Sequence, residues 1–218
     1  MRFLKKLGIG AIVVCLFGVP ATAYAANTIN IQLTQTILSG VLSTGFQAGT
    51  TAGAASVINP SFNMGAITTS NAEQTSHGSL SDNSKLLYVD NPGAAANWSL
   101  TVGLTSTNAG WYRSSDSAKT RVYYANGTNA QGNLSINPAV ASVTDLNGTS
   151  RAGTSMALGT QAKLSSGNNA ITIMSASGNA TPGLWRGGIA GVALSQIVPP
   201  RTPAGTYSLD LTTTLTQT

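Results

Sequence analysis

The chain has 218 residues, of which 42% are hydrophobic and only 8% are charged, and its formal net charge is +5. This length fits one sizeable domain with its own core, and the charged fraction lies far below the ~25% typical of soluble domains. The eleven basic residues are scattered without a run or stripe, which excludes the surface that nucleic-acid binding requires.

The first 25 residues have the pattern of a secretory signal peptide. Three basic residues lie within the first six, the apolar stretch LGIGAIVVCLFGV is too short to span a bilayer comfortably, and ATAYA supplies small residues. This pattern predicts export with cleavage after Ala25. Val14 precedes Cys15 where a lipidation motif has a small residue, so Cys15 is expected to be an ordinary residue of the apolar stretch.

Cleavage would change the chemistry that the exported chain can perform. It removes the one cysteine, so neither a disulfide nor thiol chemistry is expected. It also removes three basic residues, which leaves eight basic and six acidic residues and a net charge of +2. No membrane span is expected after cleavage. An exported chain rich in Ser, Thr, Asn and Gly is typical of a bacterial surface or fibre protein.

Apolar and polar residues alternate with period 2 along the mature chain, and turn residues interrupt the alternation. The predicted strands in chain order are NTINIQLTQTIL, SVINPSFNMGAIT, SKLLYVDN, NWSLTVGL, TRVYYANG, GNLSINPAVASV, MALG, NAITIMSA, GVALSQIVP and GTYSLDLTTTLTQT. No helical periodicity competes with them. We therefore predict an all-β chain with about nine or ten short strands, folded as an antiparallel β-sandwich of the immunoglobulin-like or Greek-key type.

Three segments are expected: a signal peptide over residues 1–25, an N-terminal strand and hinge over 26–56, and one β-sandwich domain over 57–218. The loose stretch 40–55 is interpreted as the hinge, and the tract 106–135 as a long surface excursion. Two interpretations of the strand NTINIQLTQTIL remain open. It pairs within its own sheet, or it is donated to the sheet of a neighbouring subunit and builds a filament.

Several segments together resemble a known family. INPSFNMGAITTSNAEQTSHGSLSDNSK, NWSLTVGL and ITIMSASGNATPGLWRGGIAGVALSQIVPPRTPAGTYSLDLTTTLTQT are similar, in this order, to the WxL domain, a Gram-positive cell-surface module named for its Trp-x-Leu motifs. Trp98-Ser99-Leu100 matches the first motif, and the resemblance covers about residues 57–218. In the second motif Thr213 stands where the family has tryptophan. The resemblance implies noncovalent attachment to peptidoglycan or another cell-wall polymer. The replacement of the second tryptophan by Thr213 would affect this attachment.

The candidate wall-binding residues are Trp98, Leu100, Trp111, Trp185 and Arg186. Trp98 and Leu100 are in phase with the apolar residues that follow them, so they are expected to pack in the core and to shape the end of the sandwich. Trp111 in AGWYRS and Trp185 in GLWRGG lie among turn residues, where an indole can stack on sugar rings or close the sandwich end. Arg186 can meet a carboxylate of a peptide stem or stack on a neighbouring ring.

Enzymatic and metal chemistry have little support in the sequence. His77 is the one histidine, no cysteine of the mature chain can complete a zinc site with it, and no G-x-S-x-G nucleophile setting is present. The six acids are too dispersed to suggest a glycosidase pair or a calcium loop.

Two functions are therefore carried forward, neither of them enzymatic and neither with a cofactor. The first is a secreted protein of the Gram-positive cell surface that the cell wall retains. The alternative is a self-assembling extracellular fibre or surface-layer subunit, whose partners are other surface proteins or further copies of itself.

Overall fold

The computed structural model describes residue 35 and residues 41–92, 97–105, 110–146, 156–177 and 184–217, with the side chains of Leu184 and Trp185 excepted. The chain divides into two units, residues 1–37 and residues 38–218, and of the first unit only Gln35 is described. The predicted signal peptide and, apart from Gln35, the predicted strand NTINIQLTQTIL lie outside the described residues.

The described part of the second unit contains sixteen strands and two short 3-10 helices. The strands are β1 (Ser43–Gln47), β2 (Ser56–Val57), β3 (Gln74–Leu80), β4 (Leu86–Pro92), β5 (Trp98–Leu104), β6 (Gly110–Arg113), β7 (Arg121–Tyr124), β8 (Asn133–Asn137), β9 (Ser142–Asp145), β10 (Met156–Leu158), β11 (Ala162–Lys163), β12 (Ala170–Ala176), β13 (Leu184–Ala190), β14 (Val192–Val198), β15 (Tyr207–Ser208) and β16 (Leu211–Gln217). The 3-10 helices are Asn129–Gln131 and Pro138–Val140. No helix within these ranges is long and apolar enough to cross a membrane.

The strands form four antiparallel sheets. The five-stranded sheet has the order β2-β1-β4-β13-β9; the sheet that we call the β5 sheet has the order β10-β12-β5-β16; the β14 sheet has the order β11-β8-β14-β3; and the three-stranded sheet has the order β15-β6-β7. The predicted all-β, sandwich-like class is thereby confirmed. There are more strands than expected because GNLSINPAVASV and GTYSLDLTTTLTQT each contribute to two strands and because β1, β3, β6, β11 and β13 were not predicted. Of the predicted run SVINPSFNMGAIT only Ser56–Val57 forms a strand, so that prediction is wrong for most of its length.

One apolar core joins the larger sheets. In the five-stranded sheet each strand contributes one residue to a continuous cross-strand row, Val57, Phe46, Leu87, Ile189 and Val143. Leu87 and Ile189 are fully buried and belong to the same cluster as inner residues of the β5 and β14 sheets. Complete burial of an aliphatic side chain stabilises the fold by about 1.5–3 kcal/mol, so the alternation seen in the sequence is the main source of stability.

The chain changes sheet at two neighbouring connections, β3 to β4 and β13 to β14. β3 pairs with β14 in the β14 sheet, and β4 pairs with β13 in the five-stranded sheet. Ser81 and Gly191 lie at this corner with positive φ angles of 70° and 79°. The fully buried Ser81 hydroxyl accepts a hydrogen bond from Leu87 N at 2.8 Å and donates to Ile189 O. Gly191 N donates to Ser81 O at 3.0 Å. These hydrogen bonds stabilise the corner at which the β3–β4 and β13–β14 connections both turn.

Segments that the sequence analysis places in loops form strands. The stretch 40–55 contains β1, the tract 106–135 contains β6 in addition to the predicted strand TRVYYANG, and Leu184–Gly188 of GLWRGG lie in β13. Two glycines of these segments are required by close packing: Gly45 and Gly188 lie in register on either side of Tyr88. A Cβ atom at Gly188 would lie 2.3 Å from Leu86 Cδ2. The turn interpretation of GLWRGG is therefore wrong for residues 184–188, whereas the hinge interpretation of 40–55 stays a prediction.

We predict that Gly188→Ala destabilises the fold by about 1–3 kcal/mol, because the added methyl group overlaps the buried Leu86 side chain. The matched control is Gly167→Ala, since a Cβ atom there would meet nothing within 4 Å. Denaturant unfolding measures both free energies. Equal stability of the two variants would contradict the packing role given to Gly188.

Candidate functional site

Trp98 and Leu100, the first Trp-x-Leu motif, lie in the core. They begin β5 with their side chains on the inner face, and their relative exposures are 1% and 0%. Trp98 lies opposite Ala176 of β12 and Gln217 of β16. Side chains buried to this degree do not reach a polymer outside the protein, so Trp98 and Leu100 pack within the core beneath the β5 sheet.

The second motif position lies on the strand next to the first. Thr213 of β16 is opposite Val102 of β5, and Leu215 is opposite Leu100. Leu211, Thr213 and Leu215 are half-buried on the inner side of β16. The two motifs are thus neighbours in one sheet, and a hydroxyl side chain occupies the position where the family has an indole.

Trp111 lies in β6, so its predicted place among turn residues is wrong. Its ring stacks on Tyr123 with centroids 5.9 Å apart, and Tyr123 meets Tyr207 edge-on at 5.5 Å. The indole Nε1 donates a hydrogen bond to Gln196 Oε1 at 2.8 Å. Burial raises the pKa of Tyr123, and Tyr207 adds to the effect. Trp111 therefore belongs to an internal aromatic cluster.

Trp185 and Arg186 lie in β13 and not in a turn. The Trp185 backbone is opposite Asn91, and its side chain is outside the described residues. The Arg186 guanidinium lies 4.5 Å from the centroid of the Tyr88 ring, and its Nη1 is 3.3 Å from Asp90 Oδ2.

Arg186 Nη2 also donates to Gln47 Oε1 at 2.8 Å, and Gln47 is fully buried. This guanidinium thus has aromatic, acidic and amide partners within the five-stranded sheet. Its sequence-based role in wall binding stays a prediction.

Other titratable groups are held in local networks or lie apart. Asp210 Oδ2 is 2.6 Å from Lys119 Nζ, and Asp210 Oδ1 accepts from the Tyr112 hydroxyl at 3.0 Å. The hydrogen bond from Lys119 lowers the pKa of Asp210; burial, followed by the hydrogen bond to Asp210, raises the pKa of Tyr112. His77 is exposed on β3. Across the described ranges no group of three or more His, Cys, Asp or Glu residues is arranged to hold a metal ion.

A surface groove that the sequence did not predict adjoins the aromatic cluster. It consists of two clefts of about 270 and 440 Å³, which we name the Tyr124 groove. Residues 122–124, 130–131 and 199–203 line the first cleft. Residues 121, 124, 126–128, 131 and 165–166 line the second. Tyr124 and Gln131 border both clefts, so the two clefts lie side by side on this surface.

Local irregularity builds the centre of this groove. The pairing of β6 with β7 shifts at Val122, since Trp111 is opposite Tyr123 and Tyr112 is opposite Arg121. Such a bulge breaks the alternation of side chains. The Arg121 guanidinium lies 3.8 Å from the centroid of the Tyr124 ring and donates to its hydroxyl at 2.9 Å.

The buried side chain of Gln196 in β14 positions the strands that form the groove. Gln196 Oε1 accepts from Trp111 in β6, and Gln196 Nε2 donates to Tyr124 O in β7 at 3.3 Å and to Ile197 O at 2.6 Å. One amide therefore joins two strands of the three-stranded sheet to the β14 sheet. The only sequence signals for this surface are the separate segments TRVYYANG and VPPRTP, which become neighbours through the fold.

Comparison with known proteins gives no relative: no family model, no curated protein and no solved structure matches the chain. The residues and the geometry are therefore what a functional proposal has to rest on.

We predict that Gln196→Met lowers the free energy of unfolding by about 1–3 kcal/mol, because a buried indole N–H and two carbonyl oxygens lose their partner. The control is Ser195→Ala, a half-buried neighbour in the same strand. Denaturant unfolding followed by tryptophan fluorescence measures both variants. If Gln196→Met lowers the free energy of unfolding no more than Ser195→Ala does, the role of Gln196 in linking the two sheets is contradicted.

Proposed function

We propose that this chain is a secreted protein of the Gram-positive cell surface that associates noncovalently with the cell wall and acts by binding, without catalysis. Peptidoglycan is the proposed partner, as the WxL resemblance implies. The single observation that best supports the proposal is the placement of the two motif positions. Trp98-x-Leu100 and Thr213-x-Leu215 lie on paired strands and share the inner face of one sheet, as expected of two motifs that act together.

The outer face of the same sheet suits an extracellular, hydrated polymer. Thr212, Thr214 and Thr216 alternate outward along β16 and are exposed. Across the pairing, Thr105 Oγ1 lies 3.1 Å from Thr212 Oγ1. Hydroxyl groups both donate and accept hydrogen bonds, so this face is compatible with sugar hydroxyls without charge complementarity.

Self-assembly is the second candidate, and the position of β16 favours it. This strand is at an edge of the β5 sheet, and Leu211 and Leu215 are only half-buried there. An edge strand offers unpaired backbone groups that an added strand can use. The candidate donor is residues 27–38 of another copy, whose alternating sequence suits such pairing.

One sedimentation experiment separates the two functions. The predicted mature chain, residues 26–218, is centrifuged with and without purified Gram-positive walls, beside a variant that lacks residues 27–38. We expect both proteins to pellet only with walls, because the proposed binding surfaces lie within the described domain. A wild-type chain that stays in solution with walls would contradict wall association. Pelleting without walls that the deletion abolishes would support self-assembly instead.

A further inference from the structure

We infer that the Tyr124 groove binds an anionic segment of the wall polymer, with Arg121 and Arg201 recognising its carboxylate or phosphate oxygens. This inference rests on the proposed wall association and gives it a surface and a ligand class. Neither arginine is among the residues that the WxL resemblance singles out.

The shape of the groove suits a chain molecule. Its clefts of about 270 and 440 Å³ adjoin at Tyr124 and Gln131, whereas compact small-molecule pockets enclose roughly 300–1,000 Å³ in one cavity. Half of the lining residues carry hydroxyl, amide or tyrosine side chains. Such groups hydrogen-bond to sugar hydroxyls and pack against sugar rings, so a polymer can lie across both clefts.

The charge of the groove selects an anion. Arg121 borders one cleft and Arg201 the other, and none of the described residues that line either cleft is acidic. The planar guanidinium group matches the oxygens of a carboxylate or a phosphate.

The borders of the groove are fixed before any ligand arrives. Gln131 Oε1 accepts from Thr128 N at 3.2 Å and from Thr128 Oγ1 at 3.3 Å, which orients the amide. On the other border Thr202 Oγ1 donates to Pro199 O at 2.8 Å, and three prolines stiffen the segment 199–203. A site ordered in advance loses less entropy on binding, which favours recognition in a shallow groove.

The test is a binding isotherm of the mature chain on purified walls, by depletion from the supernatant. The variant R121Q/R201Q removes two positive charges from the groove. The control R113Q/K85Q removes two positive charges from residues that do not line it. We expect at least a tenfold weaker affinity for R121Q/R201Q, an affinity within about twofold of wild type for the control, and weaker wild-type binding at high salt.

Two treatments of the walls identify the anion, and one single variant controls for misfolding. Walls stripped of phosphate polymers with hydrofluoric acid lose binding if phosphate is recognised, and walls with amidated carboxyl groups lose it if carboxylate is recognised. The single variant R201Q changes only an exposed turn residue and is expected to weaken binding at least threefold, while circular dichroism confirms its fold.

The outcomes separate this inference from the wall proposal. If the wild-type chain binds walls and R121Q/R201Q has the same affinity, binding at the groove is contradicted and wall association is not. The same holds if R113Q/K85Q loses as much affinity as R121Q/R201Q. Wild-type binding that survives both wall treatments overturns the anionic ligand. A wild-type chain that binds no wall at all overturns the proposed function.

Discussion

The groove depends on one buried amide, that of Gln196. This side chain is 1% exposed, and its oxygen and nitrogen are both used, by the Trp111 indole and by backbone carbonyls that include Tyr124 O. Buried polar groups are costly unless they are hydrogen-bonded, so the aromatic cluster and β14 stabilise each other only in this arrangement. The same bonds place Tyr124 between the two clefts. Stability of the sheets and shape of the surface are therefore linked through a single residue.

Gln196 in turn depends on the corner at Ser81 and Gly191, which brings β14 to its place. There β3 ends and β14 begins, and the Ser81 hydroxyl joins the paired strands β4 and β13 through Leu87 N and Ile189 O. Below this corner Gly188 lets Leu86 pack against the backbone of the neighbouring strand. Small residues at these points allow the strands to change sheet without a break in the core, so that one continuous apolar cluster supports several sheets.

The sequence predicted the parts of the structure that follow a regular period. Trp98, Leu100 and Val102 alternate, and all three are buried in β5. Where glycine replaces an apolar residue the prediction failed: GLWRGG was interpreted as a turn, yet Leu184–Gly188 lie in β13, where Leu86 occupies the space that a Cβ atom at Gly188 would need. The groove could not be predicted because a bulge at Val122 and contacts between distant segments create it. Neither leaves a periodic signal in one short stretch.

The account's central claim is that a wall polymer binds at the Tyr124 groove, and mapping of backbone amide chemical shifts tests it most directly. The mature chain is titrated with soluble peptidoglycan fragments from a muramidase digest. The account predicts saturable shifts concentrated in residues 121–131 and 199–203, which line the clefts. Shifts confined to β5 and β16 would contradict binding at the groove and favour the outer face of the β5 sheet as the wall-binding surface. No shifts at concentrations where the chain pellets with intact walls would also contradict binding at the groove.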